Sequence, residues 1–487
     1  MREVLWVVLF LLKMPYYKLI MSLAQLETND LPSAPPFRKL VGPSFIFLGL
    51  GLGSGEIILW PYLTANYGMG IIWAAVIGVT FQFFMNMEIE RYALVHGESI
   101  FVGLARKLKW IPLWFLLSTF IPWIWPGIIA SSAILIGSAF GISNTTNLTM
   151  VFLIIIGIIL SLGPILYKTV ESFQKILVSI GVPVIVVLAI ALAKTTNVTS
   201  TAKGVVGVGD GYFFFPEGII MASFLAAFAY AGAGGNLNLA QSFYVREKGY
   251  GMGKYTGRII SLFTGKNENV SLTGTKFLIN ESNLSNYKIW WKNINLEHFL
   301  IFWLMGSITI ILLGLLSFAT VYGLSGNLAG ISFVINEGRV IGESLFPIAG
   351  AIFLLVAGLM LFGTQLTVFD ATSRILSENI VIAAHNRLSE RNIPKIYYLV
   401  LWAQIIAGII ILLSGFTEPL ALLITAAVLN AFAMFAHIGL TLWLNLTSLE
   451  KPLRPSLVRI GAMLLAFVVY GSFSIYVLYD KFLKDLF

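Results

Sequence analysis

The chain reads as a series of long apolar stretches separated by short polar ones. Eleven stretches are long enough to cross a bilayer, which takes about 20 residues of helix. They fall at about 41–66, 69–95, 110–140, 148–167, 173–193, 217–245, 299–322, 346–373, 396–415, 419–445 and 456–479. Barrel strands would be shorter and would alternate apolar with polar. The pattern therefore predicts an all-α integral membrane protein. Within these stretches polar residues are sparse, so each one needs a reason.

The first stretch contains Gly49-Leu50-Gly51-Leu52-Gly53-Ser54-Gly55-Glu56. Each glycine weakens a helix by about 1 kcal/mol relative to alanine. A carboxylate at membrane depth is costly and points to a functional site. The helix is expected to be interrupted here, with Glu56 facing a polar cavity. The sixth stretch contains Ala231-Gly232-Ala233-Gly234-Gly235-Asn236-Leu237-Asn238-Leu239, a second glycine cluster ending in a polar residue. Spans one and six each head a group of five, and an odd count runs the two groups through the membrane in opposite senses. Paired breaks in corresponding positions of two halves indicate an inverted-repeat transporter with its site at the breaks. The competing reading is that the glycines only allow close helix packing. Glu56 likewise has two readings: an ion ligand, or an acid capping the second half-helix.

Charge sets the expected orientation. With the N-terminus in the cytoplasm, 26 of the 31 Lys and Arg fall on the inner side, leaving Lys194, Lys203, Arg339, Lys481 and Lys484 outside. A missing or extra span would destroy this separation. The resulting division is a cytoplasmic or interfacial segment 1–40 and a first repeat 41–193. An outer loop 194–216 and a second repeat 217–447 follow, with a cytoplasmic loop 246–298 inside that repeat and an eleventh span at 456–480. Residues 1–25 are expected to form an interfacial helix, and the long loop, with Trp290 and Trp291, to lie on the membrane surface. The expected location is the plasma membrane. Asn144, Asn147 and Asn197 begin glycosylation-type sequons on the outer side.

Composition narrows the chemistry. The chain is 58% hydrophobic and 11% charged, with a mean hydropathy of +0.87, and leaves no room for a large soluble domain. Its net charge of +8 suits anionic lipid, not nucleic acid. Zero cysteines exclude disulfides and thiolate metal sites. No nucleophile–base set or nucleotide motif is present, so an enzyme is not expected, and no cofactor is implied. Unwound carbonyls plus a carboxylate would form a hard oxygen site, suited to Mg²⁺, Ca²⁺ or Mn²⁺ as a transported, bound ligand. The candidate ligands are Glu56 and Asn236, with Gly53, Ser54, Ala233 and Gly234 around them. Asp370 and Arg374, four apart, and Glu88 with Arg91 read as gating or structural pairs. Gln365 could line the cavity. His437 and Asn430 are expected to bond neighbouring helices, and Pro122 and Pro126 to kink span three.

The sequence resembles the Nramp family of divalent-metal transporters over most of 41–447. Spans one and six correspond to that family's Asp-Pro-Gly-Asn and Met-Pro-His-Asn helices. Glu88-Ile-Glu-Arg-Tyr-Ala-Leu-Val-His-Gly97, Tyr167-Lys168-Thr-Val-Glu171 and Gly363-Thr-Gln-Leu-Thr-Val-Phe-Asp370 also look related. The resemblance implies a LeuT-like fold, two inverted five-helix repeats plus an eleventh helix. The departures lie at the site. Gly53 stands at the family's metal-binding aspartate, Ser54 at its proline and Glu56 at its asparagine. Ala233, Gly234 and Gly235 replace the methionine, proline and histidine, while Gly55 and Asn236 are kept. The family's transition-metal selectivity and proton coupling therefore do not carry over. The expected function is secondary transport of a divalent cation by alternating access. A carrier of amino acids or another small organic solute on the same fold is the alternative. Lipid is the expected partner, and the sequence is silent on oligomeric state.

Overall fold

The computed structural model describes residues 25–40, 42–163, 165–259, 271–324, 327, 331–384, 387–416 and 418–480. The interfacial helix expected over 1–25 lies almost wholly outside them. Among the described residues ten helices are long and apolar enough to cross a membrane. They are Pro43–Tyr67, Met69–His96, Ile111–Phe140, Thr145–Leu162, Leu166–Leu192, Glu281–Thr320, Pro347–Ala383, Glu390–Leu413, Pro419–Ser448 and Leu457–Leu478. The eleventh crossing is span six, which is in pieces: Met221–Ala229, Asn236–Leu239 and Gln241–Lys248. The chain is a multi-pass helical membrane protein. Span one is buried along its whole apolar window, whereas spans four and five are buried over less than a third of theirs. The interrupted spans thus occupy the middle of the bundle.

Local sequence explains the irregularities. Span three breaks between Ile111–Trp123 and Gly127–Phe140, at Pro126, where a proline cannot continue the backbone ladder. Span seven is much longer than hydropathy indicates. Its helix starts at Glu281, and the apolar window is only its second part. Within 246–298 the described residues include a short 3-10 helix at Gly251–Tyr255 and the polar lead of span seven. Trp290 and Trp291 both pack on protein groups. The Trp290 indole donates to the Pro32 carbonyl at 2.7 Å, and Arg91 lies 3.9 Å over the Trp291 ring.

The segment before span one is strapped to this lead. Glu27–Thr28 pairs in parallel with Thr275–Lys276. The Asn286 amide donates to the carbonyls of Leu31 and Pro32, at 3.0 and 2.8 Å, and accepts from the Ala34 amide at 3.2 Å.

Two short helices occupy corresponding places in the two halves. Ile100–Lys107 joins spans two and three, and Ser332–Ser344 joins spans seven and eight. They lie at opposite ends of the bundle. The end bearing Ile100–Lys107 also gathers Arg91, Arg246, Arg374 and Arg459, and is called the basic end below. The end bearing Ser332–Ser344 is called the neutral end.

Candidate functional site

The site is built where the two breaks cross. In span one the helix Pro43–Gly51 stops, a turn follows at Leu52–Gly53, and the backbone resumes as a wide π turn over Gly55–Leu59 before Trp60–Tyr67. In span six the break is larger. Gly234 and Gly235 take positive φ of 74° and 58°, a region that costs any residue with a Cβ.

The glycines also let the backbones touch. A methyl added at Gly51 would sit 3.3 Å from the Gly232 Cα, and one at Gly55 would collide with the Tyr230 carbonyl. A methyl at Gly53 would collide with Thr364 of span eight. Close packing and interruption, posed as rivals from the sequence, are both present.

Broken helices leave backbone groups without partners, and buried ones must find replacements. Gln82 of span two supplies two for span six. Its amide nitrogen donates to the Ala229 carbonyl at 2.9 Å, and its oxygen accepts from the Gly234 amide at 3.2 Å. The same oxygen accepts from Asn238 Nδ2 at 3.0 Å. In span one the Gly49 carbonyl accepts from the Thr364 hydroxyl at 2.9 Å. The sequence reading missed Gln82. A signal existed: Gln82 and Asn86 are polar residues four apart in an otherwise apolar part of span two, hence on one helix face.

Between the breaks lies a small cavity of about 10 Å³, room for about one water. Its walls are Leu50, Ser54 and Gly55 of span one, Trp123 and Ile128 of span three, Tyr230, Gly232, Ala233 and Leu237 of span six, and Thr364 and Val368 of span eight. All of them are buried. Trp123 stacks on Tyr230 with ring centroids 5.6 Å apart, and the Tyr230 hydroxyl accepts from Asn430 Nδ2 at 3.0 Å. The lining mixes aliphatic and aromatic side chains with the hydroxyls of Ser54 and Thr364 and the glycine backbone, and has no charged side chain.

Of the candidate ligands, Ser54 and Ala233 line this cavity, while Gly53 and Gly234 serve the packing and the turn beside it. Glu56 does not line it. Its carboxylate points between spans one, six and seven, where methyls added at Gly51 and Gly306 would lie 3.1 and 3.7 Å from Oε1. Glu56 is 1% exposed, and its Oε2 is buried without a hydrogen-bond partner. Asn236 turns to span three, donating to the Ser118 hydroxyl at 3.0 Å and to Thr119. Its Oδ1 has no partner. Glu56 and Asn236 thus flank the crossing from different sides. Among the described residues no three His, Cys, Asp or Glu converge on a metal-sized point.

The coupling candidates sit toward the basic end. Asp370 accepts from Arg374 Nε at 2.9 Å, from the Tyr397 hydroxyl at 2.9 Å and from the Tyr244 hydroxyl at 3.0 Å. Arg374 also pairs with Glu247 of span six. Glu88 pairs with Arg91 at 2.7 Å and with Arg459 of span eleven at 3.3 Å. Gln365 is buried and lies outside the cavity, its Oε1 unpartnered. His437 accepts from the Trp114 indole at 3.0 Å, which explains a histidine in span ten by hydrogen bonding to a neighbouring helix.

The architecture is that of the LeuT fold: two inverted five-helix groups, the first span of each interrupted, and an eleventh helix. Two kinds of solved transporter share it. The chain superposes on a mutant of the manganese transporter of Eremococcus coleocola with a TM-score of 0.66 at 12% identity, covering 93% of this chain and 90% of that one. The same transporter in complex with an aromatic bis-isothiourea substituted compound also gives 0.66 at 12% identity, with 95% and 91% covered. Mhp1, a nucleobase-cation-symport-1 family transporter in a closed conformation with bromovinylhydantoin bound, gives 0.52 at 12% identity, with 95% and 96% covered. No protein-family model and no curated protein matches the sequence.

Proposed function

We propose that this protein is a secondary transporter that moves a divalent cation of the hard class, Mg²⁺, Ca²⁺ or Mn²⁺, across the plasma membrane by alternating access. One observation carries the cation: a buried carboxylate, Glu56, with an unpartnered oxygen against the crossing of two interrupted helices. An unpaired charge there is costly in the absence of a cation. Oxygen ligands from the broken backbone would complete its shell when the breaks rearrange. The resemblance to the Nramp family and the likeness to a manganese transporter's fold support this reading. The basic end faces the cytoplasm in it, following the positive-inside rule.

A second reading has its own observation. The cavity proper is small, neutral and walled by Trp123 and Tyr230, which suits part of a small organic solute, with Glu56 holding a coupling cation beside it. Purified protein in liposomes separates the two. On the first reading it carries Mg²⁺, Ca²⁺ or Mn²⁺, and Glu56→Gln abolishes the flux. Absence of flux for all three ions, with folded protein confirmed by size-exclusion chromatography, removes the first reading. Uptake of a labelled amino acid that ignores divalent ions establishes the second.

A further inference from the structure

The helix Ser332–Ser344 closes the neutral end over the spans that wall the cavity. Phe333 meets Tyr62 of span one edge-on, with centroids 5.8 Å apart. Gly338 packs on Leu354, and Gly350 on the Gly338 carbonyl, seating the helix on span eight. It also packs on the second half of span three and on span seven. Its inward residues are Phe333, Val334, Glu337, Gly338 and Ile341, all buried. The spacing is that of one helical face. Four of the five are apolar or glycine, and the fifth is an acid.

Glu337 is 2% exposed, and its Oε1 has no hydrogen-bond partner. Its polar neighbour is Ser317 of span seven, whose hydroxyl already donates to the Pro61 carbonyl at 3.2 Å. A bond from that hydroxyl to Glu337 favours the carboxylate and works against burial, but burial is the larger effect. Among the described residues no cation pairs with it. Span seven over Gly306–Thr320, span three over Gly127–Phe140 and span eight over 347–369 carry no charged residue. Tyr62 and Tyr67 are the titratable groups of the span-one segment Trp60–Tyr67. On the same helix Arg339 and Glu343 are exposed and paired with each other at 2.8 Å.

We propose that Glu337 is a proton-binding site that ties closure of this helix to the pH on its own side of the membrane. Closed, the helix holds the carboxyl in an apolar seam, and burial pushes its pKa well up. Lifted, the helix gives the carboxyl to water and to its ordinary value. The sign follows from linkage. The closed state is fully favoured below the ordinary carboxylate range and loses that advantage as pH rises through the raised value. Closing the neutral end takes up one proton from that side, and opening at higher pH releases it. This holds whichever cargo the cavity takes.

The chain has no cysteine, so Ser54→Cys places a single thiol in the cavity wall. A membrane-impermeant maleimide applied from the neutral side, between about pH 5 and about pH 8, reads how often that end opens. Labelling of Ser54→Cys is expected to rise with pH by up to about tenfold per unit beyond the slope seen when Glu337→Gln is added, since thiolate chemistry is common to both. Glu337→Gln should label slowly throughout, and the exposed Glu343→Gln should keep the parent slope. Equal slopes with and without Glu337→Gln overturn the proposal. Hydrogen exchange on the unsubstituted protein gives an independent reading if Glu337→Gln does not fold. Protection of Ser332–Ser344, corrected for the intrinsic rate, falls as pH rises on this proposal. Constant protection overturns it. Both readouts stand without any transport measurement, so failed cation flux leaves them intact.

Discussion

The two ends of the bundle are shut by different chemistry. At the basic end, spans two, six, eight and eleven are tied by ion pairs almost free of water. Arg374 joins Glu247 and Asp370, Arg246 meets Glu378 at 3.2 Å, and Glu88 takes both Arg91 and Arg459. The connecting helix Ile100–Lys107 is held the same way. Arg106 meets Glu98 at 2.9 Å, and Ser99, which caps that helix, bonds Glu378. Its counterpart at the neutral end, Ser332–Ser344, is held by ring contacts, glycine packing and one unpaired acid. Equivalent positions in an inverted repeat therefore need not share a closing mechanism. Buried pairs make a closure specific but costly to half-break. An apolar seam with a lone carboxyl makes it responsive to protons.

The largest test of this contrast is Arg374→Met, which strands Asp370 and Glu247 in the interior. Breaking a buried pair on one side costs about 3–5 kcal/mol. The thermal midpoint in detergent should drop more than for any single change at the neutral end. A smaller loss than that from Phe333→Ala would reverse the assignment of rigid and responsive ends. Next comes Gln82→Leu, at the crossing itself. It leaves the Ala229 carbonyl and the Gly234 amide unpaired, for about 1–3 kcal/mol each. Denaturant or thermal melting should show that loss, and an unchanged midpoint would mean the break is held by something other than Gln82. Smallest is Arg339→Gln. It removes an exposed pair worth at most about 1 kcal/mol, and its effect should vanish in high salt. A clear loss of stability there would show the neutral end to depend on charge after all.

Most of the fold is legible in the sequence because lipid imposes length and hydropathy on every crossing. The exceptions have physical causes. Glu281–His298 is a helix rich in Asn, Ser and charged residues, so hydropathy hides its continuity with span seven. The two breaks are legible as glycine clusters, since few other residues tolerate the φ of Gly234 and Gly235 or the contact of Gly55 with Tyr230. The direction of Glu56 is not legible. It sits in a π turn, Gly55–Leu59, whose wider winding rotates side chains off the 3.6-residue register on which any prediction of facing rests. The sequence reading therefore aimed Glu56 at the cavity, and the structure aims it at span seven. Glu337 went unremarked because a single acid in a short amphipathic loop helix looks like an ordinary polar residue until the packing shows which face it is on.

The continuous helix from Glu281 to Thr320, with a π turn at Phe299–Met305, has a mechanical meaning. At 40 residues it is about 60 Å long, roughly twice the hydrocarbon thickness of a bilayer. Its apolar half lies beside Glu56, and its polar half is bonded through Asn286 and Trp290 to the strap that leads into span one. It is a pointer with its fulcrum in the membrane. A tilt of about 5° at the crossing would swing the free end by several ångströms over a length of about 60 Å. The strap is fastened to that pointer, so the same swing would pull on the entry to span one. A change at the crossing could thus be read at the membrane surface, and a protein gripping that surface could in turn act on the crossing.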